Sequence, residues 1–215
     1  MAALTAKSAW VSVVLALVLP ALVGAQEVGG TYSVRHSELL ELGTTTGYGA
    51  YVRLAQRPSF NVRLSWERLR SRSSRIGRVC TLYAPLVSCK EERVEAETRI
   101  RRAAVTGAWR LLRGSVFELE AGGGAGFNAI RTTEETESGR WSGISVQMGE
   151  NVGFHAELRG RVRPFADAPL VLEVAVEEQR LFLDACASDT MRYGPFCGTK
   201  GLRGIRLGIG YAFRS

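Results

Sequence analysis

The sequence predicts an all-β fold: an eight-stranded antiparallel up-and-down transmembrane β-barrel. Three observations predict it. A short apolar leader directs export, the segments after it alternate apolar and polar residues with period two, and short and long connections follow one another in turn. Period two marks a strand, because successive side chains leave opposite faces of a sheet. No stretch beyond the leader is long and apolar enough for a transmembrane helix. A membrane-embedded mature chain must therefore satisfy its backbone hydrogen bonds by closing into a barrel.

The leader has the layout of a secretory signal. Lys7 supplies the positive charge, Ala9 to Val23 is almost wholly apolar, and Val23-Gly24-Ala25 places small residues before the polar Gln26. The apolar run is short for a membrane anchor of about 20 residues. Cleavage is expected after Ala25, leaving residues 26–215 as one barrel domain. Hydrophobic residues make up 46% and charged residues 23% of the 215-residue chain, too polar for a helical membrane protein and too apolar for a disordered one. The formal net charge of +7 falls to +6 when Lys7 leaves with the signal. An exported basic protein is expected to meet the phosphates of lipopolysaccharide or phospholipid rather than nucleic acid.

Taken in order, the first strand is expected around Thr31–Leu40, with Tyr32 and Val34 on one face; its pattern is the weakest. The second alternates Tyr48, Ala50, Val52 and Leu54 with Tyr51 and Arg53, and the third alternates Phe60, Val62, Leu64 and Trp66 with Asn61, Arg63, Ser65 and Glu67. The fourth sets Ala103, Val105, Trp109 and Leu111 against Arg102, Thr106 and Arg110. The fifth sets Phe117, Leu119, Ala121, Ala125 and Phe127 against Glu118, Glu120 and Asn128. The sixth, Ile144 to Arg163, is the clearest: Ile144, Val146, Met148, Val152, Phe154, Ala156, Leu158 and Val162 share one face, broken only by Glu150. A strand reaching well beyond the bilayer, or one bent near Gly149–Gly153, would accommodate its length. Leu170, Leu172, Val174 and Val176 mark the seventh strand, and Ile205, Leu207, Ile209, Tyr211 and Phe213 the eighth. Pro58–Ser59, Leu112–Gly114 and Phe165–Pro169 read as short turns; Ser71–Glu92, Thr132–Arg140 and Asp184–Gly201 read as long polar loops. That asymmetry is expected of a bacterial barrel with short periplasmic turns and longer outer loops.

The polar faces would line the lumen. They carry Arg53, Arg63, Glu67, Arg102, Arg110, Glu118, Glu120, His155, Glu157, Arg159, Arg161, Arg163, Glu173, Glu177 and Arg206. Eight strands enclose an interior just wide enough for side chains to fill, so a salt-bridged plug is expected rather than a pore. Glu118 and Glu120 should sit between Arg110 and Arg159–Arg163, and Glu173 and Glu177 between those arginines and Arg206. The outward aromatics Trp66, Trp109, Tyr48, Tyr211 and Phe213 suit the two membrane interfaces.

Four cysteines fall in two expected outer loops, and pairing within each loop gives Cys80–Cys89 and Cys186–Cys197. Zinc is not expected: there is no CxxC spacing, and His36 and His155 are the only histidines. The basic run from Arg68 to Arg78 is the most distinctive charge feature, and Arg70, Arg72, Arg75 and Arg78 are candidates for lipopolysaccharide phosphate contact. Gly122-Gly123-Gly124-Ala125-Gly126 lacks the Lys-Ser/Thr of a phosphate loop. His155, with Glu157 on the same face, is the best general base, but Ser145 is ten residues away along an extended strand. No catalytic set and no cofactor are expected.

The last strand, Arg206-Leu207-Gly208-Ile209-Gly210-Tyr211-Ala212-Phe213, resembles the terminal strand of outer-membrane barrels, with Arg206, Gly208, Tyr211 and Phe213 at the matching positions; Arg214 and Ser215 follow the aromatic that usually ends the chain. The mature chain as a whole resembles the small eight-stranded OmpA/OmpX-like barrels in strand number, loop asymmetry and terminal strand. The resemblance implies an outer-membrane location and usually no enzymatic activity, and that of the terminal strand implies recognition by the barrel assembly machinery; the fold implies no single function. The leading expectation is a monomer with a structural or surface-interaction role. Two alternatives stay open on periodicity: a barrel enzyme acting on lipid A, and a soluble periplasmic lipocalin-like barrel with the apolar faces turned inward.

Overall fold

The computed structural model describes residues 25–37, 43–57, 59–83, 86–136, 144–165, 169–183 and 198–213. Eight strands follow one another along the chain: β1 Ala25–Ser37, β2 Gly43–Arg57, β3 Phe60–Tyr83, β4 Leu86–Arg113, β5 Phe117–Thr136, β6 Ile144–Val162, β7 Leu170–Leu183 and β8 Gly198–Ala212. Each pairs antiparallel with the next, and β8 returns to β1. The closing register runs from Glu27 opposite Ala212 to Ser37 opposite Leu202. The Phe213 N–H then donates to the Gln26 carbonyl at 2.8 Å, which ties the two described ends together. Closure leaves no sheet edge within the ring, the one β arrangement that lipid permits.

The alternation decides which face is which. Val105, Val152, Leu158, Val174, Val176 and Ile205 point outward and are exposed, while their neighbours Thr106, Asn151, Glu157, Glu173, Glu177 and Arg206 point inward and are buried. A soluble lipocalin-like barrel would show the reverse. Aromatic pairs stand at both ends of the apolar exterior. At the short-turn end Phe60 meets Trp109 at 4.9 Å and Tyr211 meets Phe213 at 5.4 Å; toward the long-connection end Tyr48 meets Trp66 at 6.4 Å. Rings at these two levels match membrane–water interfaces. The short turns are tight: the Gly114 N–H donates to the Phe117 carbonyl at 2.8 Å between β4 and β5.

Three expectations need correction. Ser71–Glu92 is not a long loop. β3 and β4 stay paired in unbroken register from Ser71 opposite Thr98 to Tyr83 opposite Leu86; β5 lies beside β4 as far as Val94, and from Ile76 opposite Arg93 the pair continues as a two-stranded ribbon. Beyond the apolar band neither face has lipid to meet, so a polar strand there carries no alternation and reads as loop. β5 likewise runs to Thr136 rather than ending before Thr132, and β8 begins at Gly198. Thirdly, the pattern of β6 is not one continuous run. The β5–β6 register skips Gly149, placing Glu150 opposite Ala129 and Met148 opposite Ile130. A bulge adds one residue and breaks the period.

Residues 1–24, which hold all but the last residue of the expected signal, lie outside the described residues, as do Cys186 and Cys197. In the ribbon the register sets Cys80 directly opposite Cys89.

Candidate functional site

The barrel interior is a continuous ion network. It is built from inward positions on all eight strands, since every second residue must point there. Arg35, Arg63, Arg102, Arg159 and Arg161 are among the most deeply buried large side chains.

Near the short-turn end, Arg161 reaches Glu118 at 2.6 Å and also pairs with Glu27. Arg53 pairs with Glu120, which Arg159 approaches at 3.2 Å. Arg110 lies 3.8 Å from Glu120 and is the least buried of this group. At mid-height Arg63 meets Glu173 at 2.5 Å, and Arg159 pairs with Glu157. Above them Glu177 takes Arg102 at 2.5 Å, Arg206 at 2.9 Å and Arg35 at 3.1 Å. Glu67 binds Arg35 at 2.6 Å and Arg102 at 3.1 Å. Arg206 also reaches Glu157 at 2.5 Å. The carboxylates thus link neighbouring and distant strands into one structure, which buried charges require because desolvation costs several kcal/mol per ion.

Tyr51 crosses the interior within this network. Its hydroxyl donates to Glu27 at 2.6 Å, and the Arg63 guanidinium lies 3.7 Å from its ring centre. The ring has room only because Gly29 and Gly210 flank it; a Cβ on Gly210 would stand 2.3 Å from the Tyr51 oxygen.

One inward step beyond Glu67, Arg102, Asn128 and Gln179 the lining becomes apolar. Leu69, Ile100, Ile130, Leu181 and Leu202 are buried there, at 1% exposure or less. They form an apolar layer on the long-connection side of the ions. Gln179 caps the ion network beneath it, donating to Asn128 at 3.1 Å and accepting from Arg35 at 3.3 Å.

The sequence candidates distribute as follows. Arg102, Glu118, Glu120, His155, Glu157, Arg159, Arg161, Glu173, Glu177 and Arg206 are buried inside, and Arg163 is exposed at the rim. Two members of the network, Glu27 and Arg35, were not among the candidates; both are on β1. His155 shares a 2.8 Å hydrogen bond between its Nε2 and the Thr106 hydroxyl. Both residues are buried, and their surroundings are the ion network rather than a substrate cleft. The side chain of Ser145 lies outside the described residues, although its backbone belongs to β6. His36 points outward and is exposed.

The outer face carries a second constellation. Below the ribbon, where β3 is still paired with β2, Arg68 stands opposite Arg101, and Arg70 opposite Arg99. Glu97 is the shared acceptor of Arg70 and Arg99, and Arg72 lies 3.5 Å from it. The hydrogen bond from Arg70, joined by one from Arg99, brings the Glu97 carboxyl down to about 2. Glu97 is therefore ionised at any physiological pH and the cluster keeps its charge. Arg75 and Arg78 belong to β3, opposite Val94 and Glu91; their side chains lie outside the described residues.

No family model matches this sequence, and no curated protein matches it either. Solved structures do. Ail of Yersinia pestis is 12% identical with a TM-score of 0.47, covering 87% of this chain and 95% of its own. OprG of Pseudomonas aeruginosa is 11% identical with a TM-score of 0.49, covering 88% and 95%. Neisserial surface protein A is 8% identical with a TM-score of 0.47, covering 87% and 95%. At such identities the fold assignment rests on the barrel itself: a closed ring of eight strands, apolar outside, ionic inside, with aromatics at both levels. The chain is a closed eight-stranded β-barrel with the apolar exterior of a membrane-spanning one. The short turns and both described ends lie at one end of the barrel, and the β3–β4 ribbon projects from the other.

Proposed function

We propose that this outer-membrane barrel is a non-enzymatic, non-conducting, monomeric protein with a structural or surface-interaction role. It is exported by the cleaved leader and inserted by the barrel assembly machinery. The observation that carries the reading is the interior: arginines and glutamates meet across the lumen, and a layer of Leu69, Ile100, Ile130, Leu181 and Leu202 lies over them. Such an interior leaves ions no hydrated path. The buried His155–Thr106 pair is equally remote from lipid A, which argues against lipid chemistry. The assembly reading is supported by Tyr211 and Phe213, which lie outward on or beside β8. The arginine-rich ribbon offers the surface for phosphate groups of lipopolysaccharide. Purified protein in planar bilayers should show no steady conductance; reproducible single-channel steps would overturn the reading.

The same reading includes disulfides that staple the outer connections, Cys80–Cys89 and Cys186–Cys197. Opposed positions of an antiparallel pair suit the first. Alkylation without reductant should leave the intact mass unchanged, and reduction should open all four cysteines to reagent. Modification of Cys80 or Cys89 before reduction would refute that link.

A further inference from the structure

On the outer surface of β2, β3 and β4 an arginine cleft stands directly above an apolar groove. The cleft, of about 420 Å³, is lined by Tyr32, Thr46, Tyr48, Arg68, Arg70 and Arg99. The groove below, of about 590 Å³, runs along Ala50, Trp66, Ala103, Val105 and Phe127. The register explains the hollow. Trp66 stands between Ala50 and Ala103, so a large side chain is bordered by two small ones. The next outward residues up the strands are Tyr48, Arg68 and Arg101.

Depth explains what should fill it. From Phe60 to Trp66 the apolar exterior of β3 covers about 20 Å of strand. A tilted strand of that length spans less than the about 25 Å apolar band of such barrels. Arg68 and the rows above it therefore enter the outer leaflet at the depth of its headgroups instead of standing clear in solvent. The charge there is unbalanced: Glu97 is shared among Arg70, Arg72 and Arg99, while Arg68 and Arg101 add two more cations.

We infer that this face is a binding site for one phosphorylated lipid of the outer leaflet, its phosphate held by Arg68, Arg70 and Arg99 and one acyl chain lying in the groove along Trp66 and Ala103. Guanidinium forks match phosphate oxygens, and charge-assisted bonds of this kind are the strong ones. Tyr48 stands between the two parts, suited to the boundary of headgroup and chain. The inference deepens the surface-interaction reading and rests on the outer-membrane orientation.

The test uses the full mature barrel in detergent micelles, with bisphosphorylated lipid A as probe and native mass spectrometry as readout. Dephosphorylated lipid A, inorganic phosphate and a zwitterionic phospholipid form the comparison arms. Wild-type protein should retain one bisphosphorylated lipid A, and equimolar inorganic phosphate should not displace it. The triple variant Arg68→Gln, Arg70→Gln, Arg99→Gln should bind at least about tenfold more weakly. Ala103→Trp, which fills the groove and leaves the arginines in place, should weaken binding comparably. The heat-induced gel shift of each variant reports that the barrel is folded. Unchanged binding in both folded variants would overturn the inference. So would equal binding of dephosphorylated lipid A or of inorganic phosphate alone, or a stable dimer that lipid A fails to dissociate and Ala103→Trp abolishes. None of these results would move the protein out of the outer membrane, so the fold and location would stand.

Discussion

Glu177→Ala is expected to cost the folded barrel about 3–5 kcal/mol, the usual loss when one partner of a buried charge group is removed. Glu177 accepts from Arg35, Arg102 and Arg206 at once, and its loss leaves these three buried cations sharing Glu67 and Glu157. Urea unfolding in detergent micelles, followed by loss of the heat-shifting gel band, measures the change. The pairing also predicts non-additivity. Glu177→Gln with Arg102→Gln should lose less than the two single changes together, because residues in direct contact couple by about 0.5–3 kcal/mol. An unfolding midpoint for Glu177→Ala equal to that of the wild type would mean that the network contributes nothing to the barrel.

Gly210→Val should destabilise by about 1–3 kcal/mol, the cost of overfilling a packed interior. The first added carbon would stand 2.3 Å from the Tyr51 oxygen and 2.9 Å from a Glu27 carboxylate oxygen. Both groups are fixed, Tyr51 by its bond to Glu27 and by Arg63 over its ring. The double variant Gly210→Val, Tyr51→Leu should recover part of the loss, since a shorter side chain vacates the space. A thermal midpoint for Gly210→Val at the wild-type value, or no recovery in the double variant, would show that Tyr51 does not occupy the interior as described.

Much of this interior is legible in period two. The alternation from Asn151 to Val162 assigns His155, Glu157, Arg159 and Arg161 to the inside without any knowledge of neighbours. Glu173 and Glu177 follow in the same way. What the period does not carry is equally specific. Glu27 and Arg35 lie on β1, where Gly30 and His36 interrupt the outward apolar face that would mark its partner face as polar. Leu69, Ile100, Ile130, Leu181 and Leu202 are apolar and inward, so a rule equating apolar with lipid-facing cannot find them. The ribbon has the sequence of a loop because outside the membrane a strand needs no apolar face. The arginine cleft depends on cross-strand register: Arg70 and Arg99 are 29 positions apart in sequence and become neighbours only when β3 and β4 pair. The long-range part of the structure, in other words, is carried by pairing, and pairing is what a single strand's pattern omits.

The orientation of the two faces is tested most directly by locating the protein and running it heated and unheated. An apolar exterior and an ionic interior predict that the mature chain stays with outer membranes after a carbonate wash and migrates differently on gels before and after boiling. Release into the soluble periplasmic fraction, with a single mobility at both temperatures, would contradict a membrane-spanning barrel.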